Sequence, residues 1–328
     1  MNHSLPIYQT NRVLRANVRR LRQLDRLFKA KVNADQRKHL ILGVIVWYGI
    51  ACVPEANALD IDADEYETGG IPADTNLGLL YGQYGNYNSA FSAGHKVSGG
   101  DLDTYIGILR YARIVNVGPF VADPQFIIPF GSEHSSGDLN TLGNSSGIGD
   151  LFLGSTLWLY RDPNTEHYFG ITAGVYAPVG IYNHNRPLNL GSNRWSYVLQ
   201  QGYVTPLIEK KLVLEVAADA TFYGNNNDYG ISGQTMSKSP LIEIQAWLRY
   251  EITLELDLRI GTAHYSGGEM KIGGVSNHDR ESTTTFKAGV GWNFAPSWNV
   301  VAYYTTSVQI TNGLNEAEGV NFRLAKTF

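Results

Sequence analysis

Residues 254–260, LELDLRI, set Leu254, Leu256, Leu258 and Ile260 on one parity and Glu255, Asp257 and Arg259 on the other. Successive side chains of a strand point to opposite sides, and the stretch is too short and too regular for a helical stripe. It therefore carries an apolar face and an ionic face. Two environments satisfy such a strand. In a soluble antiparallel sheet the apolar face meets a core and the charged face meets water. In an outer-membrane barrel the apolar face meets lipid and the charged face a wet lumen. One strand does not choose between them, so the choice rests on the rest of the chain.

Similar runs recur at about 75–84, 101–112, 116–129, 148–160, 166–177, 194–206, 211–223, 240–251, 254–265, 281–293, 297–309 and 318–328. The alternation is clear in several. Leu212, Leu214, Val216, Ala218, Ala220 and Phe222 interleave with Val213, Glu215, Ala217, Asp219 and Thr221. Ile242, Ile244, Ala246, Leu248 and Tyr250 oppose Glu243, Gln245, Trp247, Arg249 and Glu251, and Leu151, Leu153, Leu157 and Leu159 oppose Asp150, Phe152, Thr156 and Trp158. Runs 101–112 and 194–206 carry aromatic residues on both parities, which leaves their faces unassigned.

The connections decide the class. Short ones (ARIVN, RDPNTE, LIEKK, EIT, FAPS) alternate with long, polar ones near 85–100, 130–147, 178–193, 224–239 and 266–280. A soluble sandwich has no reason to keep that rhythm. A transmembrane barrel keeps it, with tight periplasmic turns, longer outer loops, an even strand number and both termini on the periplasmic side. Tyr160, Phe169, Tyr250, Phe294, Trp298 and Phe328 fall near the short turns, and Tyr176, Tyr223 and Tyr265 near the long loops, as two interfacial aromatic girdles would. The fold class expected is all-β, an antiparallel transmembrane barrel of about twelve strands over 75–328. The oily face of LELDLRI then meets lipid and its charged face the lumen.

The N-terminus agrees with export. Residues 11–38 hold ten Lys or Arg, and LILGVIVWYGIACV (40–53) is apolar and precedes the small-x-small triplet Ala56-Asn57-Ala58. This is the order of a secretory signal, and the apolar run is too short to span a bilayer. Residues 1–58 are read as a signal peptide with a long basic region, and 59–74, acidic and without period, as a periplasmic lead-in to the barrel. Cleavage after Ala58 removes ten of the 26 Lys and Arg and three of the 30 Asp and Glu, leaving 16 against 27, a net charge of −11. That charge disfavours a nucleic-acid partner. Cys52, the single cysteine, leaves with the signal, so the exported chain has no disulfide and no Cys-based metal site.

The chain also resembles a known outer-membrane family, described as "Putative MetA-pathway of phenol degradation". The likeness covers about 71–328 and rests on IIPFG (127–131), GIGDLFLGSTLWLY (147–160), VYAPVGIYN (175–183) and NLGSNRWSYVLQQGYV (189–204), in the family's order and approximate spacing. The family more often has a Thr-Gly pair followed by an acidic residue where Val179, Gly180 and Ile181 stand. The resemblance implies a transport barrel associated with hydrophobic or aromatic compounds.

Nothing in the residues marks covalent chemistry. His134, His184, His264 and His278 sit in or beside long loops without paired metal-ligand spacing, and the Gly-rich GNSSGIGD (143–150) has no helix behind it to present amides to a phosphate. A barrel lipase needs Ser, His and a polar orienter on neighbouring strands, and no order of residues marks such a triad. No catalytic residue, metal or cofactor is therefore expected. The candidate lumen or solute-facing residues are Asp150, Trp158, Glu215, Asp219, Glu243, Trp247, Arg249, Glu255, Asp257 and Arg259. Their charges would set a transverse field and the indoles a stacking surface, or the charges would pair across neighbouring strands and close a narrow lumen. The function expected is an outer-membrane channel for small hydrophobic or aromatic solutes. A general small-solute porin and a lipid-acting barrel enzyme are the alternatives. The partners are outer-membrane lipid and the solute, and the oligomeric state stays open.

Overall fold

Whether the alternation closes into a barrel depends on strand pairing. The computed structural model describes residues 63–328. The signal peptide expected over 1–58 and the first residues of the lead-in lie outside the described residues. Twelve long strands follow: β1 (Asn76–Ser92), β2 (His95–Arg113), β3 (Phe120–Ser135), β4 (Leu151–Asp162), β5 (His167–Ala177) and β6 (Ser196–Ile208), then β7 (Leu212–Tyr223), β8 (Leu241–Glu251), β9 (Leu256–Gly267), β10 (Glu281–Ala295), β11 (Trp298–Ile310) and β12 (Gly313–Thr327). Each pairs antiparallel with its neighbours in sequence, and β1 pairs with β12 from Leu77↔Thr327 to Phe91↔Gly313. The sheet is thus a closed ring of twelve strands. In hydrocarbon no water satisfies a free strand edge, and closure removes the edge.

Parity fixes the faces. On β9, Leu258 and Ile260 are 47% and 51% exposed, whereas Asp257 and Arg259, which alternate with them, are 7% and 1% exposed. On β8, Ile242 and Ile244 face out and Glu243, Gln245 and Trp247 are buried inside. The opening stretch needs one correction. β9 begins at Leu256, and Leu254 and Glu255 belong to the preceding turn. There Thr253 Oγ1 accepts the N–H groups of Glu255 and Leu256 (3.1 Å each) and donates to the Glu255 carboxylate (3.0 Å). A local side-chain turn outcompetes the ladder. Glu255 is therefore exposed at the short-turn end and does not belong to the lumen wall.

Two further expectations change. The long connection near 85–100 is a two-residue turn at Ala93-Gly94, both at positive φ (49° and 78°), between strands that continue beyond the membrane band. Its Asn, Ser and Gly residues read as loop, but two register shifts in the β1–β2 pairing absorb them into the ladder. The aromatic residues placed near the long loops also face the other way. Tyr176 and Tyr223 share parity with the buried Thr172 and Asp219, and Tyr265 with Ala263, so all three point inward. Position along a strand gives height, and only parity gives the face. At that level Tyr105, Phe130, Tyr197 and Phe222 present aromatic surface outward, while Tyr160, Tyr250, Phe294 and Phe328 do so near the short turns.

The outer loops carry structure of their own. Segments 226–229, 234–238, 270–272 and 275–276 pair into a second, four-stranded sheet beyond the barrel. Segment 144–148 folds back onto β3. Asn226, Tyr229 and Met236 of the second sheet line a pocket together with residues of the barrel wall. Among the described residues no helix is long and apolar enough to cross a membrane, which says nothing of a barrel.

Candidate functional site: the barrel lumen

The lead-in does not stay in the periplasm. Residues 63–71, including the 3-10 turn Tyr66–Gly70, lie among inward-facing side chains of the periplasmic half. Ala63 and Tyr66 are buried in an apolar cluster with Trp158, Tyr168, Val204, Val213, Ala217, Trp247, Val301 and Tyr303. The Tyr66 hydroxyl lies 2.9 Å from Thr172 Oγ1 and donates to Gln200 Oε1 at 3.1 Å. Its backbone N–H donates to Glu215 (2.9 Å), and Trp158 Nε1 donates to its carbonyl (3.2 Å). A Cβ on Gly202 would collide with the Tyr66 ring, and one on Gly170 would come within 3.2 Å of it. The two missing side chains make the slot for the phenol.

Around this apolar floor stand arginines from five strands. Arg323 holds Asp64 through both carboxylate oxygens (2.6 and 2.8 Å), with Arg259 at 3.7 Å from the same group. Arg110 clasps Glu65 through two nitrogens, and Arg249 binds Glu67 while also lying 3.4 Å from Glu251. Arg161 donates to the carbonyls of Gly69 (2.7 Å) and Ile71 (3.3 Å). The pairs to Asp64, Glu65 and Glu67 run from the wall to the inserted segment, whereas Arg249–Glu251 lies within one strand. Removing one partner of such a pair strands a desolvated charge, which is why the segment and the wall hold each other.

The expected site residues divide accordingly. Glu215, Trp158 and Arg249 touch the segment directly, and Arg259 reaches it while forking onto Asp257 (2.7 and 2.8 Å). Trp247 packs edge-on against Tyr303, with centroids 5.5 Å apart, and Lys287 Nζ stands 5.5 Å from its ring centroid. Asp219 and Glu243 face each other across the β7–β8 pairing and line a separate pocket at the outer mouth. Asp150 is structural there, collecting the N–H groups of Gly180 and Ser192 and the Ser192 hydroxyl. The sequence reading omitted Arg110, Arg323, Lys287 and the whole Asp64–Glu67 segment. Arg110 lies in a run whose faces were unassigned. A lone arginine in an alternating strand was the available signal.

The mouth pocket has a volume of ≈120 Å³ and is lined by Tyr176, Tyr182, Tyr223, Tyr229 and Met236 among others, with Asp219 and Glu243 as polar lining. Arg194 and Lys238 stand over the Tyr223 ring at 4.5 and 4.6 Å. Among the described residues no group of three or more His, Cys, Asp or Glu is placed to hold a metal ion.

The docked segment has a pH dependence. Burial raises Glu67 from its usual 4.5 to about 7; Arg249 opposes the rise and Asp64 adds to it. Burial also acts to raise Asp64, but Arg323 and Arg259 outweigh it and hold that carboxyl well below its usual range. A raised Glu67 favours the docked state at low pH, and this contribution is lost as pH climbs from 4.5 through about 7. Asp64 acts in the opposite sense, and its contribution is lost only in stronger acid. Protease cleavage within 63–71 should therefore increase between pH 5 and pH 8, values bracketing the shift, and Glu67→Gln should flatten the rise. Cleavage that falls over this interval would reverse the assignment.

The family model described as "Putative MetA-pathway of phenol degradation" matches residues 87–324. The crystal structure of the COG4313 outer membrane channel from Pseudomonas putida F1 is 33% identical, with a TM-score of 0.79, and the match covers 82% of this chain and all of that one. The beta domain of the Bordetella autotransporter BrkA is 11% identical at a TM-score of 0.48, covering 78% of this chain and 100% of its own. No curated protein matches the sequence.

Proposed function

This chain belongs to the family described as "Putative MetA-pathway of phenol degradation", and from that premise we infer that it is an outer-membrane channel passing small hydrophobic or aromatic molecules. The observation that supports this reading is the mouth pocket. Tyr176, Tyr182, Tyr223 and Tyr229 offer ring faces and edges there, and Met236 offers a polarisable, adaptable surface. Aromatic and apolar side chains interleaved with polar groups can bind a small ring and fix its orientation. Asp219 and Glu243 would supply those groups, accepting from a solute hydroxyl or amine. Solutes held here then meet the segment 63–71 below.

The test is entry into proteoliposomes. Monocyclic aromatic solutes should enter faster than sugars of similar size, and the pair Tyr223→Ala with Met236→Ala should slow the aromatic solutes more than the sugars. Equal slowing of both classes, or no preference in the unaltered protein, would favour an unselective porin.

A further inference from the structure

The inserted segment is built like a ligand. Within Asp64–Glu67 a phenol ring lies in a slot opened by Gly170 and Gly202, its hydroxyl is bonded by Thr172 and Gln200, and the next residue's carboxylate lies on Arg249. We propose that Tyr66 and Glu67 occupy, as an internal surrogate, a binding site for a phenolic carboxylate, and that such an anion displaces the segment when it binds. This rests on the channel reading and deepens it by naming a substrate class for a site in the lumen.

The argument is one of exchange. If the segment simply left, Arg110, Arg249 and Arg323 would lose the carboxylates of Glu65, Glu67 and Asp64, and a buried unpaired charge is costly. Thr172 and Gln200 would also lose a hydroxyl partner, and the apolar slot would fill with water. A neutral hydrocarbon ring repays only the last of these losses. A phenol repays two of them, and a phenol bearing a carboxylate restores all three kinds of contact. The wall therefore selects among aromatic solutes by both ends of the molecule. The ring slot discriminates by the hydroxyl, because a site built to bond one rejects the analogue lacking it.

The test uses the full exported chain in detergent, with Tyr66→Ala and Glu67→Ala together to empty the seat while leaving every strand unaltered. The probe is 3-(4-hydroxyphenyl)propionate, measured by calorimetry beside 3-phenylpropionate, which lacks the hydroxyl, and 4-ethylphenol, which lacks the carboxylate. The emptied protein should bind the first compound about tenfold more tightly than either comparator, the difference expected for one buried hydrogen bond or ion pair. Gln200→Leu in that background should abolish the preference over 3-phenylpropionate, and Arg249→Leu the preference over 4-ethylphenol. In the unaltered protein the probe should bind more weakly and should raise protease cleavage within 63–71, whereas 3-phenylpropionate should not. This second measurement stands even if the double variant fails to assemble.

Equal affinity for the three compounds would overturn the proposal. So would no binding by an emptied barrel of normal heat-modifiable mobility, or cleavage unaffected by the probe. Aromatic solutes that still cross proteoliposomes faster than sugars would then leave the channel reading intact and remove only the seat.

Discussion

Arg259→Leu and Ile260→Arg, at adjacent positions, should both cripple the barrel although they exchange the same two kinds of side chain. Arg259 is fully buried in the lumen, forked onto Asp257 and near Asp64. Leucine there leaves those carboxylates desolvated with one partner fewer, a loss of about 3–5 kcal/mol for a buried pair. Ile260 faces lipid near the middle of β9, where arginine costs on the order of 2–4 kcal/mol. The same substitution at Leu256 should cost roughly 0–1 kcal/mol, because that residue starts the strand beside the turn, at the membrane interface. Heat-modifiable mobility and urea unfolding of the reconstituted protein distinguish these cases. Tolerance of Ile260→Arg would mean that this face does not contact hydrocarbon.

Deleting residues 63–71 should raise single-channel conductance several-fold while the barrel keeps its heat-modifiable mobility. The segment occupies the periplasmic half of the lumen, and water admitted by its removal offsets only part of the ion pairs lost by Arg110 and Arg323, so the barrel keeps its fold at reduced stability. The deletion should also weaken any preference for cations. It removes the carboxylates of Asp64, Glu65 and Glu67 and leaves Arg110, Arg249, Arg259 and Arg323 facing the solution, where a cationic ring attracts anions. The carboxylates of Glu215, Asp219, Glu243 and Asp257 taken alone would make the wall attract cations. The arginines on β2 and β12 and the inserted carboxylates revise that balance. Conductance and reversal potential unchanged by the deletion would show that ions pass by another route.

The fold was legible because alternation is a local property. Leu258 beside Arg259, or Ile244 beside Glu243 and Gln245, states its two environments within a few residues, and the rhythm of short and long connections turns those strands into a barrel. The lumen was legible only in part. Glu215, Trp247 and Arg249 could be assigned to the inner face, but what they touch comes from 149 residues away in the case of Tyr66 and Glu215. The segment 63–71 has no period, since its conformation follows the surface it docks on rather than its own pattern. Glu255 failed for a different reason. It fits the alternation, yet Thr253 captures the backbone into a turn just before the strand begins. The connection near 85–100 failed because turn-forming residues were absorbed as bulges in a long hairpin.

Only residues 72–75 separate the inserted segment from β1, and even these are tied to the barrel, with Asp74 N–H donating to Ile114 O (2.7 Å) and Ile114 N–H to Thr75 O (2.8 Å). At no more than about 3.6 Å per residue, so short a leash keeps a released segment beside its seat. Tethering of this kind gives an effective local concentration on the order of millimolar for short linkers. Any free solute that shares the seat competes against that concentration rather than against an empty site. The barrel would then respond to abundance, staying closed to trace amounts and yielding when the solute is plentiful outside. Lengthening 72–75 with Gly-Ser repeats should lower the solute level at which this happens, without altering one contact in the lumen.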